Sequence, residues 1–214
     1  MPPIIWYFDP ISPFAYLALP SVERLARSHA ILYRPIVFGA VLAHCGQLGP
    51  AEIPAKRLHT YRLCQFLADT AGIPFRFPPA HPFRSLDTLR LLAALDAGPA
   101  ATRIVMDFIW RDGRDAIAER EGLVASVTAV PFDALIAQTG AKTSLRSWTD
   151  EAIAARVFGV PTLRIGNELF WGVDAIRMAE AYINDPDLLV TAQMSRLASL
   201  PIGVQRSPGN RAQT

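Results

Sequence analysis

Ile4-Ile5-Trp6-Tyr7-Phe8-Asp9-Pro10-Ile11-Ser12-Pro13-Phe14-Ala15-Tyr16 is the stretch whose reading decides the fold. Its apolar, aromatic-rich opening, Ile4 to Phe8, predicts a buried strand. Asp9-Pro10 ends that strand, because proline has no N–H for a ladder and restricts the residue before it. Ser12-Pro13 then predicts a helix start, with serine as N-cap and proline at the first helical position. The helix it opens turns Tyr16, Leu17, Leu19, Val22 and Leu25 toward a core. A hydroxyl therefore stands at the positive end of a helix dipole, a place that stabilises an anion, including a thiolate. Taken alone, Ser12 is no more than a capping serine.

A second stretch, Phe158-Gly159-Val160-Pro161-Thr162-Leu163-Arg164-Ile165, changes that reading. Here a helix stops at glycine, a Val-Pro step follows, and a strand begins at once. The pair of stretches resembles the thioredoxin fold, in which a strand-loop-helix site faces a cis-proline loop. Pro161 is the expected cis-proline, presenting the Val160 N–H and C=O to the Ser12 loop for strand-like pairing with a peptide.

Outward from these two anchors, the 214 residues and their 51% hydrophobic content suffice for one good-sized core. A net charge of +2 with scattered arginines argues against nucleic acid as a partner. No basic segment precedes the Ile4 run and no cleavage site follows it, so no secretory signal is expected. The longest apolar runs are too short to span a bilayer. Cys45 and Cys64 make neither a disulfide framework nor a metal site, and the histidines lack ligand spacing. A cytoplasmic protein without membrane contact is the expectation.

Between the anchors, residues 31–38 predict a second strand, joined to the first by a parallel crossover, with Pro35 marking an edge or bulge. Residues 39–54 are expected to be loop. Lys56 to Ala71 predicts a helix with Leu58, Tyr61, Cys64, Leu67 and Ala71 inward, ended by Gly72. Residues 73–82 are proline-rich and extended. Helices are predicted over 85–95, 100–111, 131–139 and 147–158. Strands 162–165 and 168–171 flank Gly166-Asn167 as a hairpin. Asp174 is a plausible cap for a helix over 175–183, and a last helix falls within 188–200. The fold class is α/β: a thioredoxin-like core from residues 1–39 and 157–200, an α-helical insertion over 40–156, and a disordered tail over 201–214.

The Phe8 to Tyr16 run, Pro54-Ala55-Lys56 with Pro74-Phe75-Arg76-Phe77-Pro78, and Gly159-Val160-Pro161-Thr162 with Phe170-Trp171-Gly172-Val173-Asp174 resemble the 2-hydroxychromene-2-carboxylate isomerases. That family sits with the kappa-class glutathione transferases among DsbA-like thioredoxin folds. The resemblance implies glutathione as cofactor and cis-trans isomerisation of a conjugated aromatic carbonyl acid, in the breakdown of aromatic compounds. It implies Ser12 as the catalytic hydroxyl, with Pro13 and Phe14 beside it. Val160 would pair with the cysteinyl backbone, Val173 and Asp174 with the γ-glutamyl end, and Gln47 with the peptide by its amide. It also implies a homodimer.

The residues make sense of that chemistry. With serine at 12 and alanine at 15 this loop cannot form a disulfide, so thiol–disulfide exchange is not expected. A serine can still orient a thiol supplied by a bound peptide, and the helix N-terminus lowers that thiol's pKa. No His/Asp pair is marked to activate Ser12 as a nucleophile. The family's lysine is missing from the segment Leu42-Ala43-His44, which leaves His44 or Lys56 to face a substrate carboxylate. The alternatives are a transferase that conjugates glutathione to electrophiles, and a non-catalytic glutathione or peptide binder.

Overall fold

A computed structural model describes residues 2–204. Four strands form one mixed sheet in the order β2-β1-β3-β4. β1 (Ile4–Phe8) is fully buried, as its unbroken apolar run requires of a central strand. It is parallel to β2 (Ile31–Pro35) and antiparallel to β3 (Thr162–Ile165). β3 pairs in turn with β4 (Glu168–Trp171), and Gly166-Asn167 make the turn between them. β2 lies at the sheet edge, where Pro35 is tolerated. This is the thioredoxin-like α/β core that the sequence predicts.

The two faces of β1 follow its alternation. Trp6 and Phe8 stack at 4.2 Å on one face, with Tyr33 edge-on to Trp6. Ile5 and Tyr7 face the other way, into a cluster with Ile36, Val41, Ala152, Val157 and Val160. Ala152 comes from α8 (Thr139–Ala154), whose Glu151 also accepts a hydrogen bond from the Tyr7 hydroxyl at 2.7 Å. The helix after β1, α1 (Pro13–Ala26), buries Tyr16, Leu17, Leu19, Val22 and Leu25 as predicted.

Several elements depart from the sequence reading. Residues 38–44 form α2 (Phe38–His44), not loop, so the second strand stops at Pro35. α3 (Pro54–Ala71) buries only Cys64 and Ala68, and Leu58 is 56% exposed. The next helices are α4 (Leu86–Ala94), α5 (Pro99–Met106), α6 (Arg120–Val127) and α7 (Phe132–Ile136). α6 had no counterpart in the reading. Residues Asp107–Arg111 continue α5 as a wider π turn. α8 begins eight residues earlier than expected, because Gly140 lies inside the helix instead of ending one.

The hairpin leads to α9 (Ile176–Asn184), and a short turn (Pro186–Leu189) precedes α10 (Ala192–Leu197). The chain divides into two compact units, one ending at Ala179 and one beginning at Glu180. The tail expected from 201 lies, beyond residue 204, outside the described residues. Among the described residues, no helix is long and apolar enough to cross a membrane.

Candidate active site

The strand pairings bring the two anchor stretches to the same end of the sheet. In the antiparallel register Tyr7 pairs with Thr162, so Asp9 to Ser12 and Val160-Pro161 leave from adjacent strands at one end. Thr162 also pairs with Trp171, which puts Gly172, Val173 and Asp174 at that end as well. The Gly172 N–H donates to the Pro161 carbonyl at 2.9 Å and ties these two segments together. Phe8 pairs with Pro35 in the parallel ladder, so α2 departs from the same end too.

Ser12 is the N-cap of α1, in an extended conformation and 7% exposed. Its Oγ accepts from the Ala15 N–H at 3.3 Å. Among the described residues the hydroxyl hydrogen has no acceptor, so it remains available to an anion. Pro13 has no N–H, and the Phe14 N–H has no partner among the described residues. The turn thus presents a hydroxyl, a free amide and the positive end of a fourteen-residue helix. Ala15 is fully buried and brings no second reactive group to the turn.

The Val160–Pro161 peptide bond is cis, and so is His81–Pro82. The Val160 N–H and C=O form no backbone hydrogen bond among the described residues. The Val160 side chain is buried with Val41 of α2, in a cluster that Phe38 and Cys45 also touch. Close behind the step, the Trp171 indole lies over Gly159, where a Cβ would run into Nε1. At Gly172, φ is +95° and a Cβ would run into the Asp174 carboxylate at 2.5 Å.

Of the other sequence-predicted residues, Asp174 is exposed, and its carboxylate has no hydrogen bond or ion pair among the described residues. Val173 is half-buried. Gln47 is exposed just beyond α2, its N–H bonded to the Leu42 carbonyl at 2.9 Å. His44 ends α2 and Lys56 lies in the first turn of α3, both exposed. No hydrogen bond or ion pair connects either to the Ser12 turn among the described residues.

The structure adds a set of residues that grip the turn from behind. Asp9 is buried and accepts from the Ile11 N–H at 3.0 Å, the Phe38 N–H at 3.1 Å and the Ser85 hydroxyl at 3.2 Å. Burial pushes its carboxyl up to about 6, against those three donors, which favour the charge. Trp110 Nε1–H donates to the Pro10 carbonyl at 2.8 Å. His81 Nε2 lies 2.9 Å from the Ile11 carbonyl, and its Nδ1 lies 2.8 Å from the Tyr61 hydroxyl. Burial pulls the His81 pKa down, favouring the neutral ring, which donates from Nε2 to the carbonyl. Phe75 stacks on Trp110 at 5.7 Å, completing an aromatic wall behind the loop.

A family model described as a DSBA-like thioredoxin domain matches residues 3–184. The 2-hydroxychromene-2-carboxylate isomerase of Pseudomonas putida is 30% identical over 187 residues, covering 82% of this chain and 91% of the relative. The chain belongs to the 2-hydroxychromene-2-carboxylate isomerase family of DsbA-like thioredoxin folds. A solved 2-hydroxychromene-2-carboxylate isomerase matches with a TM-score of 0.68 at 25% identity, over 92% of this chain and 98% of the other. Glutathione S-transferase kappa 2 of Caenorhabditis elegans is 24% identical over 85% of this chain and 91% of its own length.

In this member of the isomerase family, the sequence signal for Asp9 is an acidic residue directly after a fully apolar strand. Nothing local marked Ser85, His81 or Trp110, since they meet the turn from 76, 70 and 100 residues away along the chain.

Proposed function

We propose that this protein is a glutathione-dependent cis-trans isomerase acting on a 2-hydroxychromene-2-carboxylate-like or related conjugated aromatic carbonyl acid. The observation that carries the reading is the Ser12 turn, a helix N-terminus whose hydroxyl hydrogen and Phe14 amide have no partner among the described residues, and which has no thiol of its own. When bound, glutathione supplies that thiol and with it reversible addition to a conjugated double bond. The relatives named as isomerases and as a kappa-class transferase support the same reading.

In this reading the Ser12 hydroxyl donates toward the sulfur and holds it as an anion, while the α1 dipole and the Phe14 N–H lower the cost of that charge. The Val160 N–H and C=O pair with the peptide backbone, as an added strand would. Gln47 offers its amide to the peptide, Pro13 packs beside it, and Val173 and Asp174 receive the γ-glutamyl end, Asp174 taking the ammonium. Lys56 or His44 supplies the positive charge for the substrate carboxylate. Cytoplasmic residence, a homodimer and a helical insertion over residues 40–156 belong to the same proposal.

The test is turnover of an aromatic enone acid by the protein with glutathione, followed by ultraviolet absorbance alongside titration of total thiol. Isomerisation leaves the thiol count unchanged. Steady loss of thiol would make the protein a conjugating transferase instead, and no dependence on glutathione would remove the proposal.

A further inference from the structure

The Ser12 turn has no covalent stiffener, and hydrogen bonds set its position against α2. The contact that spans the gap is Asp9. Oδ1 receives the Ile11 N–H within the turn itself. Oδ2 receives the Phe38 N–H at the start of α2 and the Ser85 hydroxyl just before α4. The Asp9 carbonyl also accepts the Ser12 N–H at 2.9 Å. One carboxylate therefore fastens three segments, and it sits three residues from the proposed sulfur-binding hydroxyl.

We propose that ionised Asp9 is a positioning residue that locks the Ser12 turn onto α2, and that its protonation unlocks the turn and weakens glutathione binding. This rests on the glutathione reading above. All three groups facing the carboxylate donate, and two are backbone amides that cannot reverse. Only an ionised carboxylate accepts from all of them. A protonated carboxyl must aim its own hydrogen at one; Ser85 alone can turn and accept, and the Ile11 and Phe38 amides then lose the charge that strengthens their bonds and holds the turn on α2.

The charged and titratable groups around this carboxylate are few. His81 approaches the Ile11 carbonyl from the aromatic wall. Exposed Arg84 flanks Ser85, Arg90 in α4 is paired with Asp87, and His44 stands at the far end of α2. None forms an ion pair with Asp9 among the described residues, so no cation holds it ionised. Its carboxyl at about 6 lies within reach of ordinary pH change.

S-methylglutathione is the probe, because it carries no thiol to titrate. Its affinity for the wild-type protein, measured by calorimetry, should fall severalfold between pH 7.5 and 5 with a midpoint near 6. Asp9→Asn, which cannot ionise, should bind at the wild-type's acid-side affinity across the whole range. The same step in Asp9→Asn would overturn the proposal and pass the titration to His81. A second readout uses the wild-type protein without ligand: the Ile11, Ser12 and Phe38 amide resonances should move together with the Asp9 carboxyl carbon through that pH range. Amides that stay flat would overturn the proposal even if the variant fails to fold. Amides that titrate in a protein taking up no S-methylglutathione would support the Asp9 lock and sink the glutathione reading instead.

Discussion

Trp110 and Pro10 stand 100 residues apart in the chain, yet the indole Nε1–H donates to the Pro10 carbonyl at 2.8 Å in a fully buried contact. Through this bond the helical segment between β2 and β3 holds the turn that carries Ser12. Trp110→Phe keeps an aromatic ring and leaves that carbonyl buried without a donor. Such a loss costs about 1–3 kcal/mol. Urea unfolding should show a lower midpoint with an unchanged slope, and glutathione affinity should fall along with it.

Ser12→Ala separates the hydroxyl's two roles. Loss of the cap costs about 0.5–2 kcal/mol of stability. Loss of a donor aimed at developing or resident negative charge costs activity by a factor on the order of 10². Kinetics with glutathione at saturation should therefore show a kcat deficit well beyond what the small stability loss explains. An unchanged kcat would make Ser12 a cap and nothing more.

Asp9 ties stability to pH in a direction opposite to most carboxylates. Its carboxyl is raised from the ordinary 3.8 to about 6 by burial, so the folded protein holds this proton more tightly than the unfolded chain does. That contribution is fully present below about pH 4 and is lost as pH rises through 6, about 3 kcal/mol in all. Asp9→Asn should lose ground to wild type at pH 4 and recover relative to it by pH 7.5. Paired denaturation curves at the two pH values check the sign. A charge that costs stability and is kept for the organisation it gives fits a working site.

Gly159→Ala tests the second anchor. The added methyl runs into the Trp171 indole, and that ring lies against Phe158 at 5.1 Å. Both rings are exposed and can shift, so the stability cost should be small, about 0.5–1 kcal/mol. Because Gly159 immediately precedes Val160, glutathione affinity should drop even at temperatures where the variant is fully folded. Calorimetry checks both quantities on one sample.

How much of this was legible in the sequence follows from what local chemistry can encode. β1, the Ser12-Pro13 helix start and the β3–β4 hairpin were readable because apolar runs, a capping pair and Gly166-Asn167 act within a few residues. α2 was missed because seven residues between Val37 and Cys45, with Gly39 inside, carry too little periodicity to outweigh the glycines and prolines downstream. Gly140 misled for a related reason: packing of Ala141 and Leu145 against Leu89 and Ala93 holds the helix where intrinsic propensity would end it. The family resemblance implies Ser12, Val160 and Asp174 as site residues, and the sheet register brings their segments to one end. The residues that grip the turn were beyond reach, since only the folded chain puts Ser85, His81 and Trp110 beside it.

The central claim is that this turn borrows its thiol, and a crystal structure of the protein with glutathione tests it most directly. The account predicts the sulfur about 3–3.5 Å from Ser12 Oγ, with the cysteinyl backbone paired to the Val160 N–H and C=O. A tripeptide bound with its sulfur turned away from residue 12, or not bound at all, would contradict it.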